Sequence, residues 1–172
     1  MAGDARHVVL LGMMGAGKTT TGRALAHHLG RPLRDCDADL EALGGRTGAT
    51  IAAEDGVDRL HHLEGEVLLA ALASDEPAVV TGAGWVVESA RCRAALRERA
   101  IVVWLDLPVA DLLERMAGSA HRRPMVAAEA ETVLDRRAAG FAEAADLHLD
   151  ASRPTADLVA AIAAAVSDAP ET

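Results

Sequence analysis

Residues 12–19 read Gly-Met-Met-Gly-Ala-Gly-Lys-Thr. This spacing lets a glycine-rich backbone, one ammonium group and one hydroxyl close around a chain of phosphates. Glycines allow successive backbone N–H groups to converge on phosphate oxygens, and a helix starting at the loop's end adds partial positive charge. Lys18 reaches toward the outer phosphates, and the Thr19 hydroxyl suits Mg²⁺. The G-x-x-x-x-G-K-[ST] pattern is complete, so Met14, Gly15, Ala16, Gly17, Lys18, Thr19 and Thr20 are the candidate contacts to a nucleoside triphosphate. A second set is more ambiguous. Asp35 and Asp37 stand two residues apart, and acids in that pattern serve as turn and cap residues as readily as catalytic ones. Arg137, beside Arg136, reads equally as a solvated helix face, and Arg122-Arg123 as solubilising loop charge.

These residues need elements to hold them. Residues 7–11 are a short aliphatic run, as in a strand buried on both faces. Residues 20–29 carry a helical apolar stripe, with Gly30 and Pro32 as stop signals. Strand, glycine turn and helix in that order is the context a phosphate-binding loop requires. Further strands are predicted at 32–35, 79–81, 101–105 and 147–149. Helices are predicted at 39–43, 60–73, 89–98, 109–116, 127–141 and 155–166. Alternation of strands and helices implies a parallel sheet with right-handed crossovers. Ligands of such sheets sit outside the carboxyl ends of the strands, where Lys18, Asp35, Asp37 and the Gly82-Ala83-Gly84 turn fall. Residues 44–53 and 118–128 are loop-rich; the first is expected to carry a substrate pocket and the second to form a lid. Residues 167–172 are expected to fray.

At 172 residues the chain has the length of one domain, 1–172, with enough core to cover both faces of a sheet. Aromatics are 2% and Tyr is absent, which disfavours a single-strand nucleic-acid reader built on base stacking. A formal charge of −9 also disfavours nucleic-acid and anionic-membrane partners, although local arginines can still hold a small anion. Cys36 and Cys92 show no metal-type spacing and no disulfide framework, so a reducing, cytoplasmic setting is expected. No apolar run reaches the roughly 18 residues of a spanning helix. A GTPase switch lacks its D-x-x-G and N-K-x-D readers here.

The ordered set of motifs resembles the shikimate kinases, a branch of the nucleoside-monophosphate-kinase-like P-loop proteins. The carriers are Gly-Met-Met-Gly-Ala-Gly-Lys-Thr, Asp35-Cys36-Asp37, Gly82-Ala83-Gly84, Arg123-Pro124-Met125, and Arg137 four residues before Phe141. The resemblance implies a three-layer α/β P-loop kinase fold. Its five-stranded parallel sheet would have the order 2-3-1-4-5, with a substrate-binding region at 36–65 and a lid at 117–128. It implies ATP- and Mg²⁺-dependent phosphorylation of a hydroxyl on a small acidic metabolite, shikimate to shikimate 3-phosphate, by a monomer. Lys18, Asp37 and Arg123 would be catalytic, and Thr19 with Asp35 would hold Mg²⁺. Arg115 and Arg153 would lie by the nucleotide base. Asp37, His61, Gly82, Ala83, Gly84 and Arg137 would bind the acceptor, Arg137 through a two-pronged contact to its carboxylate.

Departures cluster on the acceptor side. His61 stands where the family has an arginine, and imidazole offers neither a guanidinium fork nor a full charge near pH 7. Ala83 replaces the middle glycine, which is expected to restrict the backbone. Trp85 follows at once and could wall the pocket, and Phe141 lacks the family's hydroxyl. Two further readings therefore stand beside shikimate phosphorylation. One is a related kinase for a different small hydroxylated substrate; the other is a non-catalytic nucleotide-binding protein. A nucleoside-monophosphate kinase shares the fold alone.

Overall fold

The computed structural model describes residues 6–117 and 126–168. The central strand is β1 (His7–Leu11), buried at every position, which explains its unbroken apolar run. It pairs in parallel with β3 (Val79–Thr81) on one side and β4 (Ala100–Asp106) on the other. β2 (Leu33–Asp35) and β5 (Leu147–Asp150) form the edges, giving the order β2-β3-β1-β4-β5. The expected parallel sheet and its strand order are those observed.

Helix α1 (Lys18–Leu29) packs against α8 (Thr155–Asp168), while α5 (Ala90–Arg99) and α7 (Ala127–Ala144) lie against β4. Helix α4 (Val57–Leu72) packs on α5, and α6 (Val109–Met116) on α7. The strand starts are tied by His7, whose Nδ1 accepts from the Ala78 N–H at 3.2 Å. Its other nitrogen therefore carries the proton and donates to the Ser74 carbonyl at 3.0 Å.

The acceptor side of the sequence folds with more helix than expected. Helix α2 runs Cys36–Gly44, starting three residues before the predicted helix, because the Asp35 side chain caps it by accepting from the Asp37 N–H at 3.2 Å. The predicted loop at 44–53 contains α3 (Gly48–Asp55). Thr47 caps that helix by accepting from the Thr50 N–H. Ile51 buries against the core, and Arg46 grips Glu54 and Asp55 at 2.9 and 2.7 Å. Its sequence, with Gly48 and three alanines, leaves Ile51 as the one large apolar residue, so no apolar stripe announces this helix. A 3₁₀ turn, Gly84–Glu88, is also absent from the sequence reading.

Candidate active site

The phosphate-binding loop is shaped by contacts that forbid side chains. Gly17 has φ +90° immediately before α1, and a Cβ on Gly12 would lie 2.4 Å from the Leu105 carbonyl oxygen. With glycine at the N-cap, no side chain caps α1, which leaves its N-terminal N–H groups without a side-chain acceptor. The Lys18 ammonium donates to the Gly12 and Met13 carbonyl oxygens at 2.9 and 3.0 Å, which holds it over the loop. Thr19 lies in the first turn of α1. Arg115 spans from the loop to the far strand: Nη1 lies 3.5 Å from where a Gly17 Cβ would be, and Nη2 donates to the Ala151 carbonyl at 3.1 Å. Arg153 follows in the same β5–α8 connection and is exposed.

Asp35 ends β2 and Asp37 sits in the first turn of α2, exposed. The two acids thus lie on different elements, with Asp35 half-buried as the cap. On α4 lies Glu64, which is not among the candidate residues singled out from the sequence. Burial, reinforced by the negative charge of Asp37, pushes its pKa up to about 7, while Arg137 and Lys18 pull the other way. One carboxyl therefore feels the loop lysine, the candidate base and the α7 arginine together. A carboxyl perturbed by burial and by several charges at once is a functional-site candidate. The signal in the sequence was the spacing from His61 to Glu64, one helical turn on the same face.

Gly84 is the junction between the two halves of the site. A Cβ there would lie 3.0 Å from the Gly12 carbonyl oxygen, 3.4 Å from Arg137 Nη1 and 3.5 Å from Phe141 Cζ. Ala83 is extended at φ −68°, ψ 145°, and the glycines at positive φ lie elsewhere, outside 82–84. The expected restriction at Ala83 is therefore not observed: its backbone is one any residue adopts. Phe141 needs no hydroxyl, because it is 1% exposed in the core and stacks on Trp104 at 5.5 Å. Arg137 is 13% exposed and donates from Nε to Glu88 Oε1 at 2.5 Å. Arg136 binds the same carboxylate at 3.0 Å.

His61 stacks on Trp85 with ring centroids 4.6 Å apart and planes 12° from parallel. Burial, then the positive charge of Arg137, lowers its pKa from 6.5. Trp85 is thus a platform under His61, and His61 is a neutral hydrogen-bonding group beside Arg137. Arg123 and most of the expected lid lie outside the described residues; within 117–128, Ala117 caps α6 and α7 begins at Ala127.

A family model described as shikimate kinase matches residues 14–167. The chain belongs to the shikimate kinase family. A shikimate kinase of Symbiobacterium thermophilum is 43% identical over 121 residues, covering 70% of this chain and 69% of its own. One from Nitratidesulfovibrio vulgaris is 34% identical over 168 residues, covering 98% and 95%. Among solved structures, the shikimate kinase of Acinetobacter baumannii, solved with shikimate, superposes with a TM-score of 0.88 at 30% identity, covering 94% of this chain and 92% of that one. As a member of this family the chain is an ATP-dependent small-molecule kinase with the P-loop kinase fold.

Proposed function

We propose that the chain transfers the γ-phosphoryl group of ATP to the 3-hydroxyl of shikimate. The observation that carries this reading is the meeting of the phosphate-binding loop, the 82–84 turn and Arg137 at Gly84, with the Glu64 carboxyl electrostatically coupled to Lys18, Asp37 and Arg137. The acceptor bound in the Acinetobacter baumannii relative supports the choice of substrate. Phosphoryl transfer asks a protein mainly for positioning and charge stabilisation. The acceptor oxygen attacks the γ-phosphorus, the bond to the bridging oxygen of ADP breaks, and the hydroxyl proton passes to the Asp37 carboxylate. Lys18, and Arg123 from the lid at 117–128, offset charge on the transferring group, a contribution on the order of 3 kcal/mol per donor in comparable sites. Arg137 holds the acceptor's carboxylate, with His61 and the 82–84 turn along the acceptor. Arg115 and Arg153 flank the base.

Thr19 and Asp35 are the residues that would hold Mg²⁺. Among the described residues, no group of three or more His, Cys, Asp or Glu forms a metal cage. One hydroxyl and one carboxylate fit a hard ion that keeps several waters and leans on phosphate oxygens. Bound there, it would neutralise charge on the outer phosphates. The single-domain reading, with 36–65 as the acceptor-binding region, belongs to the same proposal. So do a cytoplasmic monomer and the lack of a nucleic-acid partner; among the described residues no helix is long and apolar enough to cross a membrane.

One observation favours a second reading, a kinase for a less acidic or differently shaped hydroxyl compound: the neutral, stacked His61. The test is ATP consumption with shikimate and a panel of cyclitols and hydroxy acids, comparing the parent with Asp37→Asn. Shikimate should lead the panel, and Asp37→Asn should lower kcat about 10²- to 10⁴-fold while leaving ATP binding intact. Another acceptor well ahead of shikimate would select the second reading. Undiminished turnover in Asp37→Asn would overturn the mechanism.

A further inference from the structure

We propose that Glu88 is a positioning residue for acceptor recognition: it fixes the Arg137 guanidinium so that its Nη edge faces the 82–84 turn. This rests on the reading above that Arg137 holds the acceptor's carboxylate. Among the described ion pairs, Arg137–Glu88 is set apart by burial, its side chains being 13% and 25% exposed. The pairs Arg91–Glu66 and Arg97–Glu143 join side chains that are 46% or more exposed, and such pairs hold geometry weakly.

The direction of the contact matters as much as its burial. Glu88 takes Arg137 by Nε, while Nη1 lies against the space a Gly84 Cβ would fill. A guanidinium held by Nε keeps its terminal Nη pair for a two-pronged contact with a second carboxylate. Arg136 in turn binds Glu88 through Nε at 3.0 Å and Nη2 at 3.2 Å, so the anchor is itself anchored. Glu88 also closes the 3₁₀ turn that begins at Gly84. The glycine turn and the guanidinium are thereby fixed to each other across 49 residues of sequence, and α7 packs directly on this turn.

His61 makes this anchor consequential. With a neutral imidazole where the family has an arginine, orientation of one guanidinium carries most of the carboxylate recognition. Fixing one long side chain in advance spares the ordering cost on binding, about three- to tenfold in affinity.

Steady-state kinetics with shikimate and ATP on the parent, Glu88→Ala, Glu88→Gln, Arg137→Ala and the Glu88→Ala/Arg137→Ala double variant test the proposal. Thermal midpoints are recorded alongside. Glu88→Ala should raise the shikimate KM about three- to tenfold, with the ATP KM within about twofold of the parent. Glu88→Gln keeps an acceptor for Nε and should stay within about twofold of the parent for both substrates. In the Arg137→Ala background, Glu88→Ala should add nothing. Equal effects of Ala and Gln, or an Ala effect that persists without Arg137, would refute the positioning role. A raised shikimate KM in Arg137→Ala with none in Glu88→Ala would sink the Glu88 proposal alone. An unchanged shikimate KM in Arg137→Ala would remove Arg137 from the acceptor site and the proposal with it.

Discussion

Replacing Glu64 by Gln should change how stability depends on pH, and the size of the change follows from the site. In the folded chain burial and the Asp37 charge hold the Glu64 pKa near 7, against an ordinary value of 4.5. Below pH 4.5 the carboxyl is protonated whether the chain is folded or not, so it contributes no difference. As pH rises, the unfolded chain loses this proton first, and stability falls until the folded carboxyl ionises near pH 7. At about 1.4 kcal/mol per decade, the two and a half decades between these values amount to roughly 3 kcal/mol. Glutamine matches the shape and cannot ionise. Urea unfolding of both proteins between pH 4 and 8 should show the parent losing about 3 kcal/mol relative to Glu64→Gln. The difference isolates Glu64 from carboxylates of opposite sign, such as Glu88 and Asp150, whose pKa values are lowered in the fold. Parallel stability curves, within about 0.5 kcal/mol, would refute the claim that Glu64 is desolvated between Asp37 and the site's cations.

His61→Arg should restore a second guanidinium beside Arg137 and lower the shikimate KM about tenfold; an unchanged or higher KM would argue that Trp85 prevents the new side chain from reaching the acceptor. Because burial and Arg137 favour the neutral form of His61, with its pKa below 6.5, the parent and His61→Ala should give shikimate KM–pH curves of the same shape from pH 7 to 8. A rise confined to the parent would mean that an imidazolium binds the carboxylate. Gly84→Ala places a methyl 3.0 Å from the Gly12 carbonyl oxygen, so loop and turn must separate. The expected cost is about 1–3 kcal/mol, seen as a lower thermal midpoint, with raised KM for both substrates; a fully active, equally stable variant would contradict the close approach.

The sequence by itself determined the nucleotide half of the molecule. The loop from Gly12 to Thr19 has glycine where a Cβ would strike backbone or where φ is positive, and such requirements are local, so they are written in consecutive residues. The parallel sheet was legible for a related reason, since short aliphatic runs alternating with helices imply parallel strands joined by crossovers; the order 2-3-1-4-5 came instead from the family resemblance and is the one observed. The acceptor half was decided by tertiary structure. Helix α3 forms because Thr47 caps it and Ile51 has a core to enter, which its pattern of small residues does not announce. Ala83 looked like an obstacle until the extended backbone at that position removed the constraint. Trp85 read as a wall from its position; only packing of α4 against the 3₁₀ turn makes it a platform for His61. The Glu88–Arg137 contact spans 49 residues, and the Glu64 pKa depends on charges from α1, α2 and α7 at once. Desolvation and through-space charge arise only when distant elements meet, so no window along the chain contains them.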